Sequence, residues 1–368
     1  MESKYCIPIL IARKKIDIIM RILIIGINVR HIACSAARAG HEVYAIDCYS
    51  DLDLQRCASK TALMPRQGAE KYLPAYVELF RPDAVVLGPG LEEISVKGAR
   101  VLNNSPEKAA LVSDKLWLSH WLERKGFPFI RTQSTLEGLQ FPAVIKPRKG
   151  AGGVGCRLVH SATEIEFDKS LIAQEMIEGL PASVSVIGNG REARALAVNE
   201  QLIGASWTGA DGFRYCGNIT PLEAPDQSIA EMAEEIVAEL ELVGSNGVDF
   251  LLTDSGPLVV EVNPRFQGSL DCVELATGQN IFQAHLQSFS KVLPDKMKMP
   301  CLAAGRAIIY ATRDMQIEED LSASWATDVP RPGCKIGKDD PILSILATGN
   351  GREEVVALLT KRAATLRL

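Results

Sequence analysis

Residues 247–268 read GVDFLLTDSGPLVVEVNPRFQG. Two apolar runs, VDFLLT and PLVVEVN, flank Asp254-Ser255-Gly256, a cluster that supplies the positive-φ position of a tight hairpin turn. A turn centred on Ser255 pairs Thr253 with Pro257, Leu251 with Val259 and Asp249 with Glu261. Side chains alternate faces along a strand, so Asp249, Glu261 and Asn263 gather on one face. Carboxylates set opposite each other repel and call for a cation. Oxygen-only ligands suit Mg²⁺, which takes part of its shell from one or two carboxylates and the rest from water and phosphates. Arg265, just beyond, adds a fixed positive charge that can meet phosphate or a developing oxyanion. An exposed hairpin face bearing solvated acids would show the same residues, and the upstream segments discriminate between the two readings.

Upstream, Phe141–Lys146 (FPAVIK) reads as a strand ending in a lysine, followed by Pro147-Arg-Lys-Gly150-Ala-Gly152-Gly153-Val-Gly155 and a return strand, CRLVH. Four glycines in six positions make a flexible flap whose backbone N–H groups can approach phosphate closely, with Lys146 at its base. No helix follows and GxxxxGK[ST] is absent, so this is not a P-loop. Leu171–Ile177 reads as a strand running into Glu178-Gly-Leu-Pro181. A kink there can offer backbone groups to a base edge with Glu178 near a ribose, although on these residues alone an ordinary bend between strands is the favoured reading.

The chain opens differently. Arg21–Gly26 (RILIIG) is a buried-parallel-strand run, followed by a helix over 29–39 and a second strand, EVYAIDC. The intervening turn lacks the second and third glycines of GxGxxG, so a dinucleotide site is not expected there. Asp47, Asp51 and Asp53 read as solvated loop acids, with an active-site rim as the lesser alternative. A helix near 69–80, the strand DAVVLG and the loop Pro89-Gly-Leu-Glu-Glu93 complete an open α/β unit. Ligands bind at the carboxyl ends of such strands, which makes Asn28, Asp47, Gly90 and Glu92 candidates for substrate contacts.

Helices starting at Ser105 and Ser113-Asp114-Lys115 follow, the second with Trp117, Trp121 and Leu122 on its apolar side. Further strands are expected near 193–198 and 202–206, and an amphipathic helix over 227–242. Ser269 is placed to cap a helix over 270–277 whose N-terminus faces the hairpin, so it joins the substrate candidates. A helix over 280–292 carries His285, read as a packed residue. Leu293-Pro-Asp295 reads as a boundary before strands at 303–312 and 342–347 and a helix at 352–363. The expected organisation is an N-terminal extension (1–19), a Rossmann-like unit (20–110), a central domain (111–294) and a small α+β cap (295–368).

Composition limits the function classes. The 368 residues are 47% hydrophobic with a net charge of −5, and no Lys/Arg run interleaves with aromatics, so no nucleic-acid surface is expected. No apolar run reaches the length of a membrane span. Nine dispersed cysteines, without CxxC or zinc spacing, fit a reducing cytoplasm with most of them buried as small hydrophobes.

Ser113-Asp114-Lys115, Lys146 with its glycine flap, Gln174-Glu175-Met-Ile177-Glu178-Gly179, Asp249 and Glu261-Val-Asn263-Pro-Arg265 occur in the order and approximate spacing of the ATP-grasp superfamily, which the chain resembles over roughly 104–290. The resemblance implies an ATP-grasp fold, α/β and α+β, behind a Rossmann-like pre-grasp domain. It implies that Lys115 and Lys146 bind phosphate and that Gly150, Gly152, Gly153 and Gly155 form the triphosphate cover. Glu175 and Ile177 would meet adenine, and Glu178 the ribose. Asp249, Glu261 and Asn263 would ligate Mg²⁺ or Mn²⁺, and Arg265 would be the catalytic arginine.

The implied cofactors are ATP and the metal, and the implied reaction activates a carboxylate as an acyl-phosphate for attack by an amine. The partners are then a small carboxylic acid and an amine, with a homodimer as an available assembly. Asn263-Pro-Arg-Phe-Gln-Gly268 also resembles biotin carboxylase and archaeal carboligase-like proteins. However, Gln267-Gly268-Ser269 stands where biotin carboxylases place a basic glutamate, and this favours amide formation over bicarbonate activation. A nucleotide-binding module without turnover is the reading from a different class. The presence of Lys146, Asp249, Glu261 and Arg265 together argues against it.

Overall fold

The apolar runs RILII, EVYAID and AVVL have no polar face to show to water, and each is buried on both sides in a parallel sheet. A computed structural model describes residues 19–223, 227–296, 300 and 302–366, so the N-terminal extension lies outside it except for Ile19. In chain order the N-terminal unit comprises β1 (Arg21–Ile25), α1 (Arg30–Arg38), β2 (Glu42–Asp47), α2 (Leu52–Cys57), β3 (Lys60–Leu63), α3 (Leu73–Phe80) and β4 (Ala84–Leu87). Its strands run in the order β3-β2-β1-β4, all parallel. α1 and α2 pack side by side, and Cys34 and Cys57 are joined there as a disulfide, so these two are not the free buried thiols expected from the sequence.

Next come α4 (Pro106–Val112) and α5 (Lys115–Lys125), capped by Ser105 and Asp114, whose side chains accept from the first-turn N–H groups. β5 (Thr132–Gln133), β6 (Ala143–Pro147), β7 (Arg157–Val159) and β8 (Leu171–Glu175) form a small sheet in the order β5-β8-β6-β7. The glycine flap joins β6 to β7.

The large sheet follows. It comprises β9 (Leu180–Asn189), β10 (Ala193–Ile203), β11 (Tyr215–Thr220), β12 (Val243–Thr253) and β13 (Gly256–Asn263), with α6 (Gln227–Glu239) between β11 and β12. β10 is one strand where the sequence predicts two; Asn199 and Glu200, which read as a break, are buried and paired within it. α7 (Leu270–Thr277) and α8 (Ile281–Ser288) lead to β14 (Ala303–Tyr310), β15 (Met315–Gln316), β16 (Ala326–Thr327), β17 (Lys335–Ile336), β18 (Pro341–Gly349) and α9 (Arg352–Thr365). Among the described residues the large sheet has eight strands in the order β13-β12-β9-β10-β11-β14-β18-β16, so the C-terminal segment is built into the same sheet as the central one. Among the described residues no helix is long and apolar enough to cross a membrane.

Two cores fix the geometry of the site. Phe250, Val259 and Val262 point from the β12–β13 hairpin into a core with α6 and with Trp121 and Leu122 of α5. Phe266, just past the hairpin, is stacked on Phe282 in a second core that includes Ile22, Ile24 and Leu102 of the N-terminal unit. The segment between these anchors carries the charged residues of the site.

Candidate functional site

The hairpin turn is one residue tighter than the sequence reading. Thr253 pairs with Gly256, Leu252 with Pro257, Leu251 with Leu258 and Phe250 with Val259. Continued regularly, that register would set Val260 opposite Asp249 and turn Glu261 into the core. A bulge at Val260 restores the phase, so that Asp249 pairs with Glu261 and Val248 with Val262. Val260, Glu261 and Asn263 therefore all line the same cavity as Asp249, while Val259 and Val262 stay in the core.

That cavity, of about 840 Å³, lies between the small sheet with its flap and the large sheet. Lys115, Lys146, Gly150, Gly152, Gly153, Glu175, Ile177, Glu178, Asp249, Glu261, Asn263, Arg265 and Ser269 all line it. Gly155 does not, but it has φ +77 and sits against Pro147 at the flap's return. Strand pairing in β8 stops at Glu175 and resumes at Leu180 in β9, leaving residues 176–179 as the rim segment.

The electrostatics are concentrated at the hairpin. Lys115 Nζ donates to Gly150 O at 2.7 Å and lies 3.3 Å from Glu261 Oε2, so one lysine ties the flap to the hairpin carboxylate. Lys146 is buried, and desolvation lowers its pKa against the pull of Glu261. Burial and the neighbouring Glu261 charge hold the Asp249 carboxyl well above the usual range. Burial pushes Glu261 the same way, but Lys115 and Lys146 outweigh it and keep Glu261 below its ordinary value. Asn263 Nδ2 donates to Asp249 Oδ2 at 3.1 Å and to Glu261 Oε1 at 3.2 Å. The amide N–H₂ thus sits where a cation would be held, between two acids.

This donor set fits Mg²⁺. Two half-buried carboxylates on one face, beside an amide whose oxygen can turn inward, supply the part of an octahedral shell that the ion takes from protein. No group of three or more His, Cys, Asp or Glu arranged to hold a metal ion occurs among the described residues, so the remaining positions of the shell fall to phosphates and water.

Arg265 Nη2 donates to Asn263 Oδ1 at 3.1 Å, and its Nε meets Glu92 Oε1 at 2.5 Å. Glu92 also accepts from Gly90 N, lines neither the 840 Å³ cavity nor its 410 Å³ neighbour, and is engaged by Arg265. Gly90 is outside both of these cavities too; a Cβ there would strike Ile27. Asn28 falls in a neighbouring cavity. Ser269 does not cap α7 with its side chain, and its hydroxyl lies 3.1 Å from Ser185 Oγ instead.

Asp47, Asp51 and Asp53 are not solvated. Asp47 and Asp51 are buried, and Asp53 accepts from Asp328 N and Val329 N at 2.9 Å each. Sequence reading missed Tyr215, Phe213, Arg306 and Asp328. The only available signal was Arg306 itself, a lone charge inside the apolar strand AAGRAIIY.

Residues 112–269 match the family model for an ATP-grasp domain. Over 358 residues the chain is 26% identical to an uncharacterised protein of Methanocaldococcus jannaschii, covering 90% of this chain and 89% of that one. Over 240 residues it is 23% identical to the 3-methyl-D-ornithine–L-lysine ligase of Methanosarcina mazei, covering 61% of this chain and 62% of the ligase. Among solved structures, the biotin carboxylase domain of Hydrogenobacter thermophilus 2-oxoglutarate carboxylase, in complex with MgADP, ADP and bicarbonate, has a similar fold. Its TM-score is 0.75 at 15% identity, covering 94% of this chain and 90% of that one.

Proposed function

We propose, from the premise that this chain carries an ATP-grasp domain and is an ATP-dependent ligase, that it activates a small carboxylic acid as an acyl-phosphate and couples it to an amine. The convergence of Lys115, Lys146, Asp249, Glu261 and Arg265 on one cavity beneath the flap carries this reading.

Lys146 and Lys115 hold the phosphates, and the N–H groups of the Gly150–Gly155 flap cover them. The rim at Glu175 and Ile177 takes adenine, and Glu178 takes the ribose. Asp249, Glu261 and Asn263 hold Mg²⁺ or Mn²⁺, which when bound neutralises phosphate charge. Positioning and charge neutralisation are what phosphoryl transfer asks of a protein, so no covalent nucleophile is needed.

An oxygen of the acid attacks the γ-phosphorus, the bond to the bridging oxygen breaks, and ADP leaves. The amine nitrogen then attacks the acyl carbon, the carbon–oxygen bond to phosphate breaks, and phosphate departs as the nitrogen loses its proton. Arg265, held by Glu92 and Asn263, faces the charge that grows on oxygen in both steps.

The test is ADP and phosphate release from the purified full chain with Mg-ATP and mixtures of carboxylic acids and amines, with mass spectrometry of the products. ATP-dependent products heavier by an acyl group are expected. Turnover that requires bicarbonate and no amine, or a chain that binds ATP and turns over nothing, overturns the proposal.

A further inference from the structure

A second cavity, of about 410 Å³, lies beside the first and shares Pro89, Tyr215, Gly268 and Ile308 with it. It is closed by the N-terminal unit on one side and by β14, β17 and β18 on the other. Its floor is a buried cluster of charges. Arg30 makes a two-pronged pair with Asp271 at 2.9 and 2.6 Å and reaches Asp328 at 2.9 Å. Arg306 reaches Asp328 at 2.7 Å and Gly268 O at 3.0 Å, tying this cluster to the end of the nucleotide-site loop.

The accounting of these carboxylates is uneven. Asp271 and Asp328 are held by arginines, Asp53 by Arg30 and two backbone N–H groups, and Asp47 by the N–H groups of Val29, Tyr49 and Ser50. Asp51 is the exception. It stands at the N-cap of α2, yet its side chain does not cap the helix, and its Oδ2 is buried with no hydrogen-bond partner. It is 3% exposed and lines the cavity. Burial, followed by the charges of Asp328, Asp47 and Asp53, pushes its pKa up to about 8. An unpaired buried carboxyl is costly, and a cationic group meeting Asp51 relieves that cost by favouring its ionised form.

His31, at the same floor, is neutral and has neither ring nitrogen satisfied, and Arg306 Nε and Asn28 Oδ1 are likewise unpartnered. Arg331 and Lys335 are exposed at the cavity with Arg66, which is paired with Asp340 at 3.3 Å, and Ile308, Ile336 and Leu343 supply apolar wall.

Resting on the ligase reading above, we infer that this cavity binds the amine-bearing co-substrate, a small zwitterion whose ammonium lies against Asp51 and whose anionic group meets Arg66, Arg331 and Lys335. The ammonium at Asp51 is an anchor; the amine that attacks the acyl carbon is a second one on the same molecule, at the wall shared with the nucleotide cavity. Asp51 is then a specificity-determining residue that never touches ATP.

The test is calorimetric binding of the proteinogenic amino acids, ornithine and β-alanine, each at millimolar concentration and without nucleotide. Their amine-free counterparts, such as propionate and glutarate, serve as controls. Wild type should bind at least one amine and none of the amine-free acids. Asp51→Asn should bind that amine about 10- to 100-fold more weakly, the loss expected for a charge-assisted pair, while its affinity for a non-hydrolysable ATP analogue stays unchanged and reports a folded chain. Leu63→Trp, at the exposed rim, should obstruct the same ligand without touching the floor.

Binding of no amine, equal binding by Asp51→Asn and wild type, or equal binding of amine-free acids overturns the inference. Absence of ATP binding or turnover with amine binding retained would instead reject the ligase reading and leave the cavity's ligand class standing.

Discussion

Glu92 Oε1 lies 2.5 Å from Arg265 Nε, an ion pair in which both side chains are largely buried and which joins the N-terminal unit to the segment just past the β12–β13 hairpin. A guanidinium fixed this way is already aimed before substrate arrives, which is what a charge-stabilising group requires. Arg265→Ala should lower the rate of ADP release at saturating substrate by about 100- to 1000-fold, the cost of losing one such group, with little change in ATP affinity. Glu92→Gln keeps the neighbour but removes its charge, and should give a smaller loss in the same parameter. Steady-state kinetics of the two variants checks this; a normal turnover number for Arg265→Ala would remove it from the chemistry.

The flap rests on the loop before β11. Tyr215 N donates to Gly152 O at 3.1 Å, and a Cβ on Gly153 would sit 1.9 Å from Phe213 O. Gly152 also has a left-handed φ, +67, but nothing lies within 4 Å of its Cβ position. Both alanine variants thus carry the same backbone strain, about 1–2 kcal/mol, and only Gly153→Ala also lifts the flap off its seat. Gly153→Ala should raise the KM for ATP markedly more than Gly152→Ala. Equal effects would show that the flap closes without this contact.

These two contacts mark where sequence reading succeeds and where it stops. The parallel strands, the capped helix at Asp114 and the acid–acid–amide face of the hairpin are legible because each depends on local periodicity or on residues a few positions apart. Even so, the Asp249–Glu261 pairing followed from two cancelling departures. The turn is a residue tighter than expected, and the bulge at Val260 puts the extra residue back. The acids at 47, 51 and 53 read as solvated because what buries them is far along the chain: Arg30 meets Asp328 across 298 positions. No window of sequence contains that pair. The second cavity, whose walls come from both ends of the chain, was invisible for the same reason.

Asp249 is held protonated-prone by burial and by Glu261, so in the absence of metal it is a liability to the fold. Asp249→Asn should therefore leave the nucleotide-free chain at least as stable as wild type in thermal melts. It should also reduce Mg-ATP-dependent turnover by about 100-fold or more through loss of a charged ligand. Chelation of divalent ions should abolish turnover in wild type. A destabilised Asp249→Asn chain with normal activity would mean that the carboxylate serves the fold and not the metal.

His285 bridges the two halves of the molecule through both ring nitrogens. Nδ1 accepts from Ser245 N at 2.9 Å and Nε2 donates to Leu102 O at 3.0 Å, a pattern that only the neutral ring satisfies. Burial lowers its pKa to about 4, whereas in the unfolded chain it titrates near 6.5. Between these values the unfolded state takes up a proton that the folded state refuses, so the contribution of His285 is complete above 6.5 and is lost as pH falls toward 4, by about 3 kcal/mol in all. His31, pushed to about 3 by burial and then by Arg30, acts in the same direction and extends the loss to lower pH. Chemical denaturation at a series of pH values should show stability falling across this window in wild type. The slope should be shallower in His285→Gln, whose lower starting stability does not titrate; parallel slopes would place the proton uptake elsewhere.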